Sequence, residues 1–179
     1  MLTGMRQMQR QVTLEPEEVE HMRSRDQLFG IALAKVVSLL MNSSAHSHLR
    51  VSDLKWLVLP PLLADQFAIM EAVREGTVLP SPFAAAFWAK LSPAVDRRLS
   101  ADKDMSGRLS PDEWQSGDSL WIIDVVGDSR ILPAFLEELA ATQFPGRYLK
   151  MRLTGKLGVA KIVFVGLDNL VEEPRNDRN

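Results

Sequence analysis

The sequence predicts an α/β fold, in which helices pack against a mixed, largely antiparallel sheet within a single domain. The length of 179 residues is typical of one domain. Apolar residues make up 46% of the chain and charged residues 25%, proportions that are ordinary for a protein with a buried core. The apolar patterns run in the order helix, strands, one strongly apolar strand, helix and strands, which favours a sheet covered by helices.

Both ends of the chain are polar. Residues 1–25 lack an apolar face, and we expect a flexible N-terminal segment there. Residues 171–179 are expected to be a disordered tail. The predicted folded domain therefore comprises residues 26–170.

The first element of this domain is a predicted buried helix. Residues 28–41 are apolar at most positions and rich in Ala and Leu. Asn42 and the two serines after it are typical helix-breaking residues. The polar residues 43–50, SSAHSHLR, then form either a loop or the start of a second helix.

A group of strands is predicted next. Residues 54–59 are a dense apolar run that ends at two prolines, and we interpret them as a buried strand. Residues 66–73 and 77–79 are predicted to be two strands around a turn at Gly76. Residues 83–91 are apolar on most faces, so the pattern fits either a strand that continues the hairpin or a short helix.

The second half of the chain alternates between the two types of element. Residues 92–118 are charged and rich in turn formers, which indicates one helix and a loop. Residues 120–126, LWIIDVV, give the strongest strand pattern in the chain, and residues 131–142 predict an amphipathic helix with a proline in its first turn. Residues 148–153 and 159–165 are two further predicted strands. A strand, a glycine turn, a helix and a strand also form the acyl-donor unit of GNAT-type acyltransferases, by analogy only.

Composition excludes several classes of function. The formal charge is −2 and the pI is about 5.9, so the chain lacks the broad positive field that nucleic-acid binding requires. It contains no cysteine, which excludes disulfides, thiolate nucleophiles and Cys-ligated zinc. No secretory signal is visible, and the longest apolar stretch is too short and too interrupted to span a bilayer. We expect a cytoplasmic protein.

Two neighbouring histidines are candidates for proton transfer. His46 and His48 lie between two predicted core elements, and such a tethered loop is a suitable place for a reactive group. Histidine is the side chain best suited to accept a proton near neutral pH. The alternative is that both are solvent-facing loop residues.

Asp124 is the second candidate, because it interrupts an apolar strand. An ionised carboxylate buried without partners is costly, so it requires a hydrogen-bond donor or an opposite charge. A histidine would meet that need, and the carboxylate would fix its tautomer and raise its basicity. Alternatively, Asp124 caps the following turn or pairs with an arginine such as Arg130.

Residues 102–113, DKDMSGRLSPDE, match the string of an EF-hand calcium loop. Asp102, Asp104, Ser106 and Glu113 occupy positions 1, 3, 5 and 12 of the loop. The context argues against calcium binding, since an EF-hand requires a leaving helix and here a strand begins near residue 120. We expect a solvated loop and no metal site.

Four segments in order resemble the lysine acyltransferases that activate RTX toxins. They are the serine-rich loop ending in His46, the Leu59-Pro60 pair followed by Gln66, the Trp-x-Ser-Gly-Asp segment at 114–118, and the aspartate-containing strand around Asp124. The resemblance covers residues 29–153. It differs at the loop itself, where this chain has Ser-Ser-Ala-His-Ser and the family commonly has Ser-Pro-Leu-His-Arg.

The resemblance implies a GNAT-like fold and an acyltransferase. Its catalytic histidine falls on His46, because the spacing to Leu59 does not fit His48; its catalytic aspartate falls on Asp124, and Ser43 has a supporting role. The acyl donor would be acyl carrier protein, the acceptor an internal lysine of an RTX-type protoxin, and no cofactor would be bound. We further expect backbone donors near Gly127 to polarise the thioester, and the donor phosphate to lie by Ser129 and Arg130.

Other functions stay open at this point. A catalytically inactive acyltransferase-like interaction protein or chaperone would keep the fold without the reaction. A calcium-responsive module is a third alternative. The sequence also leaves the oligomeric state undecided, with a homodimer among the alternatives.

Overall fold

The computed structural model describes residues 16–73, 76, 78–101, 108–154, 160–166 and 171–172. In chain order the elements are α1 (Pro16–Met41), α2 (Leu54–Leu57), α3 (Leu59–Leu63), β1 (Phe67–Val73), β2 (Pro80–Leu91), α4 (Pro93–Ala101), β3 (Ser119–Gly127), α5 (Leu132–Gln143), β4 (Leu149–Thr154), β5 (Ala160–Val165) and β6 (Val171–Glu172). Short 3₁₀ helices lie at Ser44–His46, Val51–Asp53 and Pro111–Trp114. The predicted GNAT-like α/β fold with a largely antiparallel sheet is confirmed.

The strands form one sheet in the order β1-β2-β3-β4-β5-β6. All neighbouring pairs are antiparallel except β3 and β4, which are parallel and connected through α5. The ladder between β3 and β4 contains only the pairs Trp121–Lys150 and Ile122–Met151. The two strands therefore part beyond Ile122 and leave a gap in the middle of the sheet.

Apolar side chains cover both faces of the sheet. One cluster packs helices α1, α2, α3 and α4 against one face of the sheet, and the other packs helix α5 against the opposite face. The central strand β2 is buried on both faces along Ala84–Ala89, where four of its residues are alanines, at 84, 85, 86 and 89. These small side chains allow helices to approach from both sides, and burial on both sides explains why the sequence shows no alternation there.

Helix α1 confirms the predicted helix over 28–41 but begins at Pro16. Its inner side is a stripe of Ala32, Val36 and Leu40, spaced four residues apart and packed on the sheet. The amide Nδ2 of Asn42 donates to the carbonyl of Ser38 (2.8 Å) just past the end of the helix. The last ten or so residues of the predicted flexible segment 1–25 are thus helical.

Two predictions of strands are wrong. Residues 54–59 form helix α2 and the start of α3, since prolines are tolerated in the first turn of a helix and a short apolar run fits either element. Of the predicted strand 77–79, residues 78–79 form an exposed bend, and β2 begins only at Pro80. Residue 77 lies outside the described part of the chain.

The remaining elements follow the predictions closely. Residues 83–91 form part of strand β2, which confirms the strand alternative over the short helix. The helix and loop of 92–118 appear as α4 and the 3₁₀ helix Pro111–Trp114. Of the predicted tail, Val171 and Glu172 pair with β5, and residues 173–179 lie outside the described part.

Candidate active site

Three predicted residues meet at one end of the gap in the sheet. The ring nitrogen Nε2 of His46 lies 3.2 and 3.1 Å from the two carboxylate oxygens of Asp124, across a sequence separation of 78 residues. The hydroxyl of Ser43 lies 2.7 Å from the other ring nitrogen, Nδ1. Both partners are partly buried, with 11% of the His46 side chain and 22% of the Asp124 side chain exposed. The structure therefore brings His46, Asp124 and Ser43 together.

The contacts of the ring determine where its proton resides. A carboxylate only accepts hydrogen bonds, so Nε2 of His46 must carry the hydrogen that points to Asp124. In the neutral ring Nδ1 is then the basic nitrogen, and it accepts from the Ser43 hydroxyl. The hydrogen bond to Asp124 raises the pKa of His46 above its ordinary value of 6.5, against the opposing effect of burial. The arrangement is that of a general base held by a carboxylate.

The loop that carries His46 is short and anchored at both ends. The 3₁₀ helix Ser44–His46 begins three residues after the end of α1, and the backbone N–H of His46 donates to the carbonyl of Ser43 (3.1 Å). Because Ser43 is the residue before this turn and lies three positions ahead of His46, its side chain reaches the imidazole instead of capping the turn. On the far side, the partly buried Leu49 packs against the core.

A β-bulge places the Asp124 carboxylate on the same face as His46. In the ladder between β2 and β3, Phe87 pairs with Asp124 whereas Trp88 pairs with Ile122, so Ile123 is an extra residue. Ile123 packs on the α1 face and Val125 on the α5 face. Two consecutive side chains, those of Ile123 and Asp124, thus lie on the α1 face. The backbone N–H of Val125 also donates to Asp124 (2.9 Å) and fixes the carboxylate.

His46 and Asp124 line a cavity of about 1050 Å³ between the parted strands and the segment after α1. Its volume is at the upper end of the range for ligand sites. Apolar walls come from residues of α2, α4, β3 and β4 and of the preceding loop, namely Leu49, Leu57, Leu99, Trp121, Ile123 and Leu153. Three arginines also line it, Arg50, Arg108 and Arg152. The cavity can hold a long ligand that has an apolar part and an anionic part.

Trp121 is a rigid part of this wall. Its indole nitrogen donates to Asp96 of α4 (2.7 Å), and Asp96 also accepts from the ammonium group of Lys150 (2.9 and 3.0 Å). The lysine nitrogen lies 5.7 Å from the centre of the Trp121 ring. These contacts hold the ring against the cavity, where its exposed fraction is 1%.

The other candidate residues predicted from the sequence are not part of the His46–Asp124 contact. His48 lines the cavity but is exposed and does not contact Asp124. Gly127, Ser129 and Arg130 do not line the cavity, and Arg130 forms an ion pair with Asp128 that lowers the pKa of the aspartate to about 2. The alternative pairing of Asp124 with Arg130 is therefore absent among the described contacts. The role of these three residues in donor binding stays a prediction.

Two of the remaining motifs have packing roles. A Cβ atom at Gly117 would lie 2.5 Å from the carbonyl oxygen of Leu91, so only glycine fits where this segment crosses the end of β2. Ser116 accepts from the backbone N–H of Ser92 (2.9 Å), and Trp114 is buried. Gln66 is also buried, next to β2, where its backbone carbonyl accepts from the backbone N–H of Trp88 (3.1 Å).

The EF-hand string is only partly described. Asp102, Asp104 and Ser106 lie outside the described residues. Glu113 belongs to the 3₁₀ helix Pro111–Trp114, where its carboxylate accepts from the backbone N–H of Ser110 (2.9 Å) and from Arg98 (2.9 Å). In this structure Glu113 therefore acts as a cap of the turn.

Sequence reasoning missed a cluster beside His46. Asp53 accepts from the indole of Trp56 (3.2 Å) and from Arg108 (3.1 Å), and the Arg108 guanidinium lies 4.9 Å from the centre of the Trp56 ring. The spacing of Asp53 and Trp56, three residues apart on a helix, could have indicated their contact. The third member is 55 residues away from Asp53, and no local pattern reveals it.

The chain matches a known family along most of its length. Residues 27–165 match the RTX toxin acyltransferase family. The RTX-II toxin-activating lysine-acyltransferase ApxIIC of Actinobacillus pleuropneumoniae is 30% identical over 139 residues, which are 74% of this chain and 78% of that protein. The leukotoxin-activating lysine-acyltransferase LktC of Pasteurella haemolytica-like sp. (strain 5943B) is 32% identical over 134 residues, 72% of this chain and 76% of that one. The protein-lysine myristoyltransferase RtxC of Kingella kingae is 29% identical over 110 residues, 60% of each chain.

Proposed function

Because the chain belongs to the RTX toxin acyltransferase family, we propose that it transfers a fatty acyl group from acyl carrier protein to internal lysines of an RTX-type protoxin. The observation that carries the proposal is the contact of His46 with Asp124 at the wall of a cavity with apolar sides. Relatives named as toxin-activating lysine acyltransferases and as a protein-lysine myristoyltransferase support the reaction and the fatty chain.

The reaction needs a base because the acceptor amine is protonated. A lysine with a pKa near 10.4 is neutral in only about one molecule in a thousand at neutral pH. In the proposed step the amine nitrogen attacks the thioester carbonyl, the C–N bond forms and the C–S bond breaks. The Ser43 hydroxyl already donates to Nδ1 of His46, so the proton passes through it: the hydroxyl hydrogen moves to Nδ1 while the hydroxyl oxygen takes the amine proton.

Asp124 has two tasks in this step. Its carboxylate keeps the hydrogen of neutral His46 on Nε2, so that Nδ1 is the basic nitrogen that faces Ser43 and accepts the proton. It also lies next to the positive charge that develops on the ring, and this is why it raises the pKa of His46. The protonated ring then returns this proton to the departing thiolate of the carrier, so the step balances for the neutral amine, and the first proton of the ammonium form leaves to water before the attack.

The apolar walls suit the acyl chain of the donor. Trp121, Ile123 and Leu153 belong to the two strands that part beyond Ile122, so a chain inserted between them would be removed from water. Each buried methylene contributes about 0.8 kcal/mol. Within the described ranges, no helix combines the length and the apolarity that crossing a bilayer requires.

The test compares two neighbouring histidines. We expect His46→Ala to lower the rate of acyl transfer about a hundred- to ten-thousandfold, as loss of a general base typically does. His48→Ala is the matched control, since His48 lines the same cavity without contacting Asp124, and it should keep most of the activity. Intact-mass spectrometry of an RTX-type acceptor after incubation with acyl-acyl carrier protein measures both.

Two outcomes would contradict the proposal. If His48→Ala is inactive and His46→Ala is active, the assignment of the base is wrong. If the wild-type protein transfers no acyl group from acyl carrier protein to the acceptor, the chain is instead a catalytically inactive acyltransferase-like interaction protein or chaperone.

A further inference from the structure

We propose that Arg50 and Arg108, at the edge of the reaction cavity, form a phosphate-binding subsite that holds the phosphodiester of the acyl donor's pantetheine arm. The inference rests on the proposed function, because it concerns the donor of that reaction. The phosphate of the donor would bind between Arg50, which lies between His46 and α2, and Arg108.

Asp53 organises this subsite. Only 13% of its side chain is exposed, and its carboxylate accepts from the backbone N–H of Arg50 (2.8 Å), the indole of Trp56 (3.2 Å) and the guanidinium of Arg108 (3.1 Å). The first two of these bonds lower the pKa of Asp53 most, so the carboxylate stays charged and keeps its partners in place. The subsite is therefore preorganised.

Arg108 has donors left for a second anion. Its guanidinium lies 4.9 Å from the centre of the Trp56 ring and contacts Asp53 through one nitrogen, Nη2. A guanidinium carries five N–H donors in a plane, and it can bind a carboxylate on one edge while it presents the other edge to phosphate. Its side chain is 65% exposed, which leaves that edge accessible to a ligand.

The charges of the cavity favour an anion. Among the described lining residues, the two arginines of the subsite, Arg50 and Arg108, face the one carboxylate of Asp53, while the carboxylate of Asp124 is paired with His46. The whole chain has a formal charge of −2, so this local excess of positive charge differs in sign from the rest of the molecule. Such an excess beside a site attracts anionic ligands.

The shape of the cavity specifies which anion fits. Its arginines and its apolar walls belong to one continuous space that also contains His46 and Asp124. A ligand that fills it combines an anionic group, an apolar chain and a reactive carbonyl. An acyl-phosphopantetheine arm has these three parts. Arg130, in contrast, lies outside this cavity and is already bound to Asp128.

The test separates the phosphate from the rest of the donor. Two soluble donors are compared, S-acyl-4′-phosphopantetheine and S-acyl-pantetheine, which differ only in the phosphate. We expect the wild-type protein to show a KM about ten- to a hundredfold lower for the phosphorylated donor, a range typical of charge-assisted hydrogen bonds. Arg108→Gln should remove most of that preference while kcat changes little, and Arg50→Gln should reduce it. Arg97→Gln, which removes an exposed charge from α4 outside the cavity, is the matched control.

Several results would overturn the inference. One is an Arg108→Gln protein that still prefers the phosphorylated donor. Another is loss of the preference in Arg130→Gln instead, which would place the phosphate at the start of α5. A third is an Arg108→Gln protein with weaker use of acyl-acyl carrier protein but unchanged use of both small donors, because the arginine would then contact the acidic surface of the carrier. Failure of the wild-type protein to acylate lysine from any donor would instead contradict the proposed function, and titration calorimetry with phosphopantetheine would still test the subsite.

Discussion

At the scale of single residues, the His46–Asp124 contact predicts that the proposed reaction depends on pH. Asp124 raises the pKa of His46 above 6.5, and only the neutral ring can accept a proton. We therefore expect kcat/KM to increase with pH through an apparent pKa above 6.5. Asp124→Asn keeps the size of the side chain and removes its charge, so the increase of kcat/KM with pH should occur at lower pH. The maximal kcat/KM should also fall about a hundred- to ten-thousandfold. An unchanged pH dependence of kcat/KM in Asp124→Asn would show that Asp124 does not act on His46.

The same shift predicts a pH-dependent stability. A raised pKa means that the folded state favours the charged ring, so the stabilisation is complete below the unfolded pKa of about 6.5 and is lost as pH rises through the folded pKa. Asp124→Asn should therefore lose more stability relative to wild type at about pH 6 than at about pH 9. Urea unfolding at the two pH values measures this. A destabilisation that is equal at both would indicate that the contact contributes through packing alone.

At the scale of elements, close approaches of backbone decide which glycines can be replaced. A Cβ at Gly117 meets backbone atoms of Leu91 and Ser92 at 2.5–2.7 Å, so Gly117→Ala should destabilise the fold by about 1–3 kcal/mol, as overpacking does. Gly30, exposed within α1, has no atom within 4 Å of a Cβ, and Gly30→Ala should stabilise the protein by about 0.5–1 kcal/mol. Chemical denaturation measures both. The two substitutions must change the free energy of unfolding in opposite directions. Equal changes would mean that the helix and strand propensity of alanine decides the outcome, and not the contacts of its Cβ atom.

The elements also show what the sequence could and could not predict. The strand of 120–126 and the helix of 131–142 have the right length and composition, and the structure contains both. The prediction of a strand over residues 54–59 is wrong because a short apolar run lacks a period and fits a helix as well as a strand. Asp124 was recognisable as a carboxylate in an apolar strand. Its contact with His46 came from the family resemblance, since pairing over 78 positions has no local signal.

At the scale of the whole molecule, the active site exists only when distant parts of the chain are assembled. His46 follows α1, Asp124 lies on β3, and the cavity between them also needs α2, α4 and β4. We expect loss of activity in urea to coincide with global unfolding followed by circular dichroism, because no single element holds the site. An inactivation midpoint well below the unfolding midpoint would show that the loop after α1 opens separately.

The extra residue in β3 has a further consequence. Along an ordinary strand, a substitution changes one side chain, whereas a change in length exchanges the two sides of everything beyond it. Deleting Ile123 would restore the ordinary ladder with β2 and leave Asp124 opposite Phe87, still on the α1 face beside His46. If the present residues instead ran without the bulge, the alternation would continue past Ile123 and turn Asp124 towards α5, away from His46, with its chemical identity intact. The register of this strand is therefore as much a requirement for the His46–Asp124 contact as the aspartate itself. A related chain could lose the extra residue and keep the aspartate in place, but it could not pair these same residues in an unbroken ladder.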